Sequence, residues 1–198
     1  DYYPVGLFMR LFCPGKKHAS VLPVLPRRIL IIRPGGMGDA LLLLPLLRML
    51  RRQYPHAALD VFADRRNISV FSLFIKDVDH VYAAFGMRFF INLFVLRTRR
   101  YDVVFDTEQW HNLSAVIACF LKPGAAIGFS TRPGRSGWYS KTVTYRQERY
   151  EAENFLNLFY EGLGVAPDPE WRQCLRWDMP EPAAVPMRIP ALDWKRTV

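Results

Sequence analysis

Apolar positions along this chain fall into short continuous runs that alternate with longer, helically spaced ones. Residues 28–33 (RILIIR) form an unbroken branched-aliphatic run, the pattern of a strand covered on both faces. Pro34-Gly35-Gly36-Met37-Gly38 then reads as a turn. Residues 39–52 predict a helix, apolar on nearly every side as far as Arg48, with Pro45 inside it and expected to kink it. The same alternation continues. Strands are expected at 59–63, 79–83, 101–105, 125–129 and 141–145, and helices at 66–74, 88–99, 112–121 and 148–163, the last stopped by Gly164.

Strands alternating with helices predict an α/β, Rossmann-like, doubly wound and mostly parallel sheet with both faces covered. Ligands on such sheets bind where the carboxyl ends of strands turn into helices. That rule places residues 34–39 and 106–112 on one functional edge. Three segments follow. Residues 1–27, with Pro4, Pro14, Pro23 and Pro26, read as an extension carrying at most a short helix near 5–12. Residues 28–165 read as the domain. Residues 166–198, crowded with prolines, read as a linker rather than core.

Composition narrows this only a little. Of 198 residues 51 % are hydrophobic and 23 % charged, which excludes wholesale disorder. The net charge of +9 favours an anionic partner such as a phosphorylated glycolipid or acidic headgroups, or else is an ordinary solvated basic face. No nucleic-acid module is recognisable, so nucleic acid is not an expected partner. Cys13, Cys119 and Cys174 match neither a zinc motif nor a disulfide framework. Cys119, in an apolar run, is expected to be a buried thiol, and a reducing cytoplasmic location follows as the default.

The glycine turn invites a phosphate-binding reading, which its spacing does not meet. Gly36 and Gly38 supply G-x-G, but the third dinucleotide position is Leu41, and no Lys-Ser/Thr completes a P-loop. Asp64 stands where nucleotide-binding folds place a ribose-binding acid, but with the glycine pattern broken the dinucleotide reading is minor. Asp39 also argues against phosphate. The partial positive charge of a helix N-terminus would hold an anion, and here a carboxylate already occupies it. At a ligand edge such a carboxylate can take a proton from a hydroxyl nucleophile. The plainer reading is a helix cap, for which Asp is favoured.

Two further segments carry candidate chemistry. In 106–114 (DTEQWHNLS), Asp106, Glu108, Gln109, His111 and Asn112 offer groups for sugars or phosphates, and Trp110 offers a face for stacking on a sugar. Alternatively, Asp106 and Asn112 cap the next helix. In 130–141 (STRPGRSGWYSK), Arg132, Arg135 and Lys141 suit a phosphorylated ligand, or are solvated loop charges. A third segment, 85–102 (FGMRFFINLFVLRTRRYD), mixes aromatics with arginines. It suits an anionic bilayer, although a core-facing helix with snorkelling arginines is the favoured expectation.

The stretch RRILIIRPGGMGDALLLLPLLRMLRRQYPHAALDVFA resembles the start of glycosyltransferase family 9, the bacterial heptosyltransferases of lipopolysaccharide core assembly. It has their strand, a small-residue turn ending in Gly-Asp, an apolar helix with an internal Pro, and a Tyr-Pro exit. Lys76-Asp77-Val78-Asp79, YDVVFDTEQWHNLSA, Ile127-Gly128-Phe129 and the helix closing in Leu163-Gly164 support the match. It runs from about residue 27 to about residue 165. The resemblance implies the N-terminal, acceptor-binding half of a GT-B enzyme. It implies inverting, metal-independent transfer of heptose from ADP-heptose, with the donor held by a second domain expected beyond residue 198. Asp39 would be the general base. Gly36, Met37, Gly38, Asp106, Gln109, His111, Asn112, Arg132 and Arg135 would meet an anionic, lipid-linked glycan acceptor at the inner membrane. No cofactor is implied. Where many relatives carry Ser or Thr in the turn, this chain has Pro34-Gly35-Gly36. A non-catalytic α/β domain binding a nucleotide or anionic glycan is the alternative.

Overall fold

Strand β1, Arg28–Arg33, is buried along its whole length after Arg28, and its side chains alternate between two cores. Ile29 and Ile31 enter one apolar layer, and Leu30 and Ile32 the other. A strand covered on both faces belongs in the middle of a sheet. In the computed structural model, which describes residues 25–74 and 76–175, β1 pairs in parallel with β2 (Ala58–Ala63) on one side and β4 (Val103–Asp106) on the other. With β3 (His80–Ala83), β5 (Ala125–Phe129) and β6 (Lys141–Val143), the sheet runs β3-β2-β1-β4-β5-β6 and is parallel throughout. The α/β Rossmann-like expectation holds.

Helices fill both faces. On one, α1 (Met37–Leu41), α2 (Leu44–Gln53) and α6 (Glu151–Leu163) share a core. Leu46, Leu47 and Leu50 of α2 join Phe155 and Phe159 of α6 there. On the other face, α3 (Gly86–Thr98) and α4 (Asn112–Phe120) cover Leu30, Phe62 and Val104. A short helix α5 (Pro133–Ser136) and a 3-10 turn (Ile68–Phe74) lie in connections. Cys119 is buried, as its apolar setting predicts. No helix of the described residues is long and apolar enough to cross a membrane.

Four differences from the sequence reading have physical causes. The single helix expected at 39–52 is two. Leu42 and Leu43 separate α1 from α2, and Pro45 sits in the first turn of α2, where its missing N–H costs nothing. Pro45 starts a helix rather than kinking one. Within the helix expected at 66–74, Ile68–Phe74 close as a 3-10 helix instead of an α-helix. Helix α3 faces the core on one side, as expected, with Leu93 and Leu96 buried and Phe89 packed beside them, but Met87, Phe90, Ile91, Phe94 and Val95 on its other side stay exposed. Finally, the segment read as linker from residue 166 begins against the domain. The 3-10 turn Trp171–Leu175 packs on α2, Cys174 is buried beside Met49, and Arg48 donates to the Cys174 carbonyl at 2.7 Å. The expected short helix near 5–12 and the rest of the proline-rich tail lie outside the described residues, as does Cys13.

Candidate functional site

Because β1 and β4 are neighbours, the loops leaving them meet at one edge. The Thr107 N–H extends the ladder by donating to the Ile32 carbonyl at 3.1 Å. The Arg33 guanidinium then crosses between the two loops. It donates to the Thr107 carbonyl at 2.7 Å and to Asp39 Oδ2 at 2.6 Å. Arg33 is buried and lies 5.4 Å from the Phe155 ring centroid, whereas the Asp39 side chain is 45 % exposed. A buried cation thus anchors a carboxylate that still reaches solvent.

The turn is built around that anchor. Gly35 has φ +138°, and a β-carbon there would sit 2.7 Å from Arg33 Nη2. Glycine is required on both counts, by conformation and by space. The N-cap of α1 is Gly36, which makes no side-chain cap. Asp39 lies within the first turn, so it is not the cap that the local sequence favoured.

Arg33, Pro34, Gly35 and Asp39 form one wall of a cavity of about 400 Å³. Glu108, Gln109, Trp110 and His111 form a second wall; Tyr145, Glu151 and Arg66 complete it. Glu151, in the first turn of α6, accepts from Tyr145 Oη at 2.7 Å and from Gln109 Nε2. Burial, helped by the charge of Asp39, raises the Glu151 carboxyl above its ordinary range, against the pull of Tyr145, Arg33 and Gln109. Burial and the bond to Glu151 likewise push the Tyr145 hydroxyl up. Two carboxylates, Asp39 and Glu151, therefore share one cavity, with Arg33 close to both.

The 108–111 wall is held from below. Glu108 Oε1 accepts the N–H groups of Gln109, Trp110 and His111 at 3.1, 2.9 and 3.3 Å. Beneath it lies a buried pair, Asp106 and Arg135, both side chains fully enclosed and 3.1 Å apart. Tyr139 Oη donates to Asp106 Oδ2 at 2.5 Å, and Arg135 donates to the carbonyls of Glu108 and His111. Burial raises the Asp106 carboxyl, opposed chiefly by Arg135.

These positions sort the expected site residues. Asp39, Gln109 and His111 line the cavity. Asp106 and Arg135 do not meet a ligand: they are sealed inside the protein and brace the loop, and the expectation of acceptor contact is corrected for both. Nor does Asp106 or Asn112 cap α4. Its N-cap is His111, and Asn112 is its first residue, outside the cavity wall, with Oδ1 buried and without a hydrogen-bond partner. Gly36, Met37 and Gly38 lie beside the cavity lining rather than in it, where Gly35 stands instead. Arg132 is exposed, its guanidinium 5.9 Å from the Trp110 ring. Asp64 is engaged by the Arg65 N–H and by Arg66, at 2.6 and 3.1 Å. Sequence reasoning missed Arg33, Tyr145 and Glu151. A charged residue ending an otherwise apolar central strand was the available signal for Arg33.

No family model matches the chain. Solved structures do. Escherichia coli heptosyltransferase WaaC with ADP superposes with a TM-score of 0.61 at 24 % identity, covering 72 % of this chain and 48 % of that one. The fold is that of about half of this heptosyltransferase. E. coli ADP-heptose lps heptosyltransferase II gives 0.60 at 24 %, covering 76 % of this chain and 45 % of that one. A glycosyl transferase family 9 protein from Veillonella parvula gives 0.55 at 20 %, with 77 % and 44 % covered. The chain spans about half the length of these heptosyltransferase-fold structures.

Proposed function

We propose that this chain is the acceptor half of an inverting, metal-independent glycosyltransferase, with Asp39 as its general base. The observation that carries the reading is the placement of Asp39: a half-exposed carboxylate on the rim of a cavity, pinned through Oδ2 by the buried Arg33. Pinning fixes the direction of the carboxylate and leaves Oδ1 for a substrate hydroxyl. In the proposed step that hydroxyl oxygen bonds to the donor's anomeric carbon and its proton passes to Asp39. The bond from that carbon to the nucleotide diphosphate breaks on the opposite face. Trp110 at the rim offers a stacking face for a sugar ring, and Arg66 offers a cation for an anionic acceptor. By analogy with the structures that share its fold, the donor is a nucleotide-diphosphate heptose held by a second domain, and the acceptor is a lipopolysaccharide-core glycan.

The test is Asp39→Asn, which keeps the shape of the side chain and removes its basicity. Release of ADP from ADP-heptose in the presence of acceptor, measured in a polypeptide carrying both domains, should fall by about a hundred- to ten-thousand-fold. Acceptor binding by titration calorimetry should change little. Transfer at near the parental rate would dismiss Asp39 as the base. Loss of acceptor binding with no specific loss of turnover would favour a binding domain.

A further inference from the structure

Helix α3 has two apolar faces, and only one of them is used. Leu93 and Leu96 point into the domain. Met87, Phe90, Ile91, Phe94 and Val95 are 81, 49, 61, 61 and 39 % exposed. Their spacing of three, four, seven and eight residues places them on one continuous stripe along the helix. A contiguous apolar stripe of this kind on a domain surface marks an interaction site.

The charges around it identify the partner. From Ala84 to Tyr101 the chain carries Arg88, Arg97, Arg99 and Arg100 and no carboxylate. Arg88 and Arg100 are exposed, and so is Lys122, which follows α4. The two helices are joined at this surface: Phe94 packs edge-on against Phe120 at 6.1 Å, and Arg97 lies 4.4 Å from the same ring. Apolar side chains flanked by cations, with acids excluded, complement an anionic lipid surface. Thirteen residues make a helix of about 20 Å, shorter than the ~30 Å hydrocarbon core, so it would lie along a bilayer and not cross it.

A second observation points the same way. The N-terminal end of α3 opens into an apolar cavity of about 540 Å³ lined by Phe62, Phe85, Phe89 and Phe90. Pro34, Arg66 and His111 border both this cavity and the one that holds Asp39. The two cavities therefore adjoin at Pro34, Arg66 and His111, with the exposed stripe at the far end of the apolar one.

We propose that α3 is an interfacial helix that docks this domain on an anionic lipid surface through Met87, Phe90, Ile91, Phe94 and Val95, with Arg88, Arg100 and Lys122 as its electrostatic rim. Docking turns the mouth of the apolar cavity toward the hydrocarbon boundary, the position from which an amphiphilic acceptor would enter. Only that last link rests on the function proposed above. The docking stands independently of the chemistry of Asp39.

Co-sedimentation of the 198-residue chain with lipid vesicles tests it. The chain should pellet with vesicles of equal parts phosphatidylglycerol and phosphatidylcholine, pellet poorly with phosphatidylcholine alone, and be released by salt. The double variant Ile91→Ser/Phe94→Ser should bind about tenfold more weakly or worse. Both positions are exposed, so its circular dichroism should match the parent. Arg88→Glu should weaken binding to the anionic vesicles only. The proposal fails if the chain stays in the supernatant with anionic vesicles, or if the double variant binds as tightly as the parent. It also fails if light scattering finds a dimer that the double variant dissolves, since a second copy would then be the occupant. Asp39→Asn should leave sedimentation unchanged, which separates this result from the transfer assay.

Discussion

At the scale of single residues, the site depends on one buried guanidinium serving two carboxylates unequally. Arg33 bonds Asp39 directly, while Glu151 feels it through space and takes its bonds from Tyr145 and Gln109. Glu151 therefore has a folded-state pKa above its ordinary 4.5, with burial the largest cause. A carboxyl raised on folding favours the native state below its unfolded value, and that contribution is lost as pH rises through the folded value. Glu151→Gln removes the titration. Relative to the parent, this variant should gain stability between about pH 4 and about pH 7. Urea midpoints at the two pH values measure it. A constant offset reflects only the altered bonds to Tyr145 and Gln109; a parallel pair of profiles would show that Glu151 is not raised. Asp39 could be read from the chain because Gly-Asp at a strand-to-helix turn is a local pattern. Arg33 and Glu151 could not, because they are 118 positions apart in no shared motif and meet only through the fold.

At the scale of elements, the cavity wall formed by 108–111 stands on strand β5 and helix α5. Gly128 in β5 makes room for Tyr139: a β-carbon there would lie 2.3 Å from the ring. Tyr139 in turn joins Asp106 to Arg135, and Arg135 holds the carbonyls of Glu108 and His111. Gly128→Ala should displace the ring and cost about 2–4 kcal/mol, read as a drop in the denaturant midpoint. An unchanged midpoint would sink this account of the brace. Strands and helices were legible element by element because a parallel sheet buried on both faces leaves apolar runs that no polar alternation interrupts. The face of α3 was not legible. Its residues are apolar nearly all round, so periodicity alone could not say which side meets the core, and only the packing against β3 and α4 decides it. The brace was hidden for a related reason: Asp106 and Arg135 look like ligand-binding charges until their complete burial is known.

At the scale of the whole molecule, the domain extends further along the chain than its apolar pattern suggests. Prolines after Val165 signal a linker, yet Trp171–Leu175 docks on α2, where Cys174 is buried and Arg48 ties down its carbonyl. A chain ending at residue 165 should be less stable than one ending at 175 by about 1–3 kcal/mol, measured by urea unfolding. Equal stabilities would make the linker reading right from its first residue. The short apolar contribution of so few residues explains why composition missed it. The sheet order has its own consequence for how the molecule is made. β1 can join β2 soon after both leave the ribosome, but its other neighbour is far downstream: the Arg28 N–H binds Asp102, 74 residues later. At about 5–20 residues per second that interval lasts on the order of 4–15 s. Throughout it a nascent chain holds its central strand with one edge open. A chaperone that shelters such edges would act within that window, before β4 arrives to close the seam.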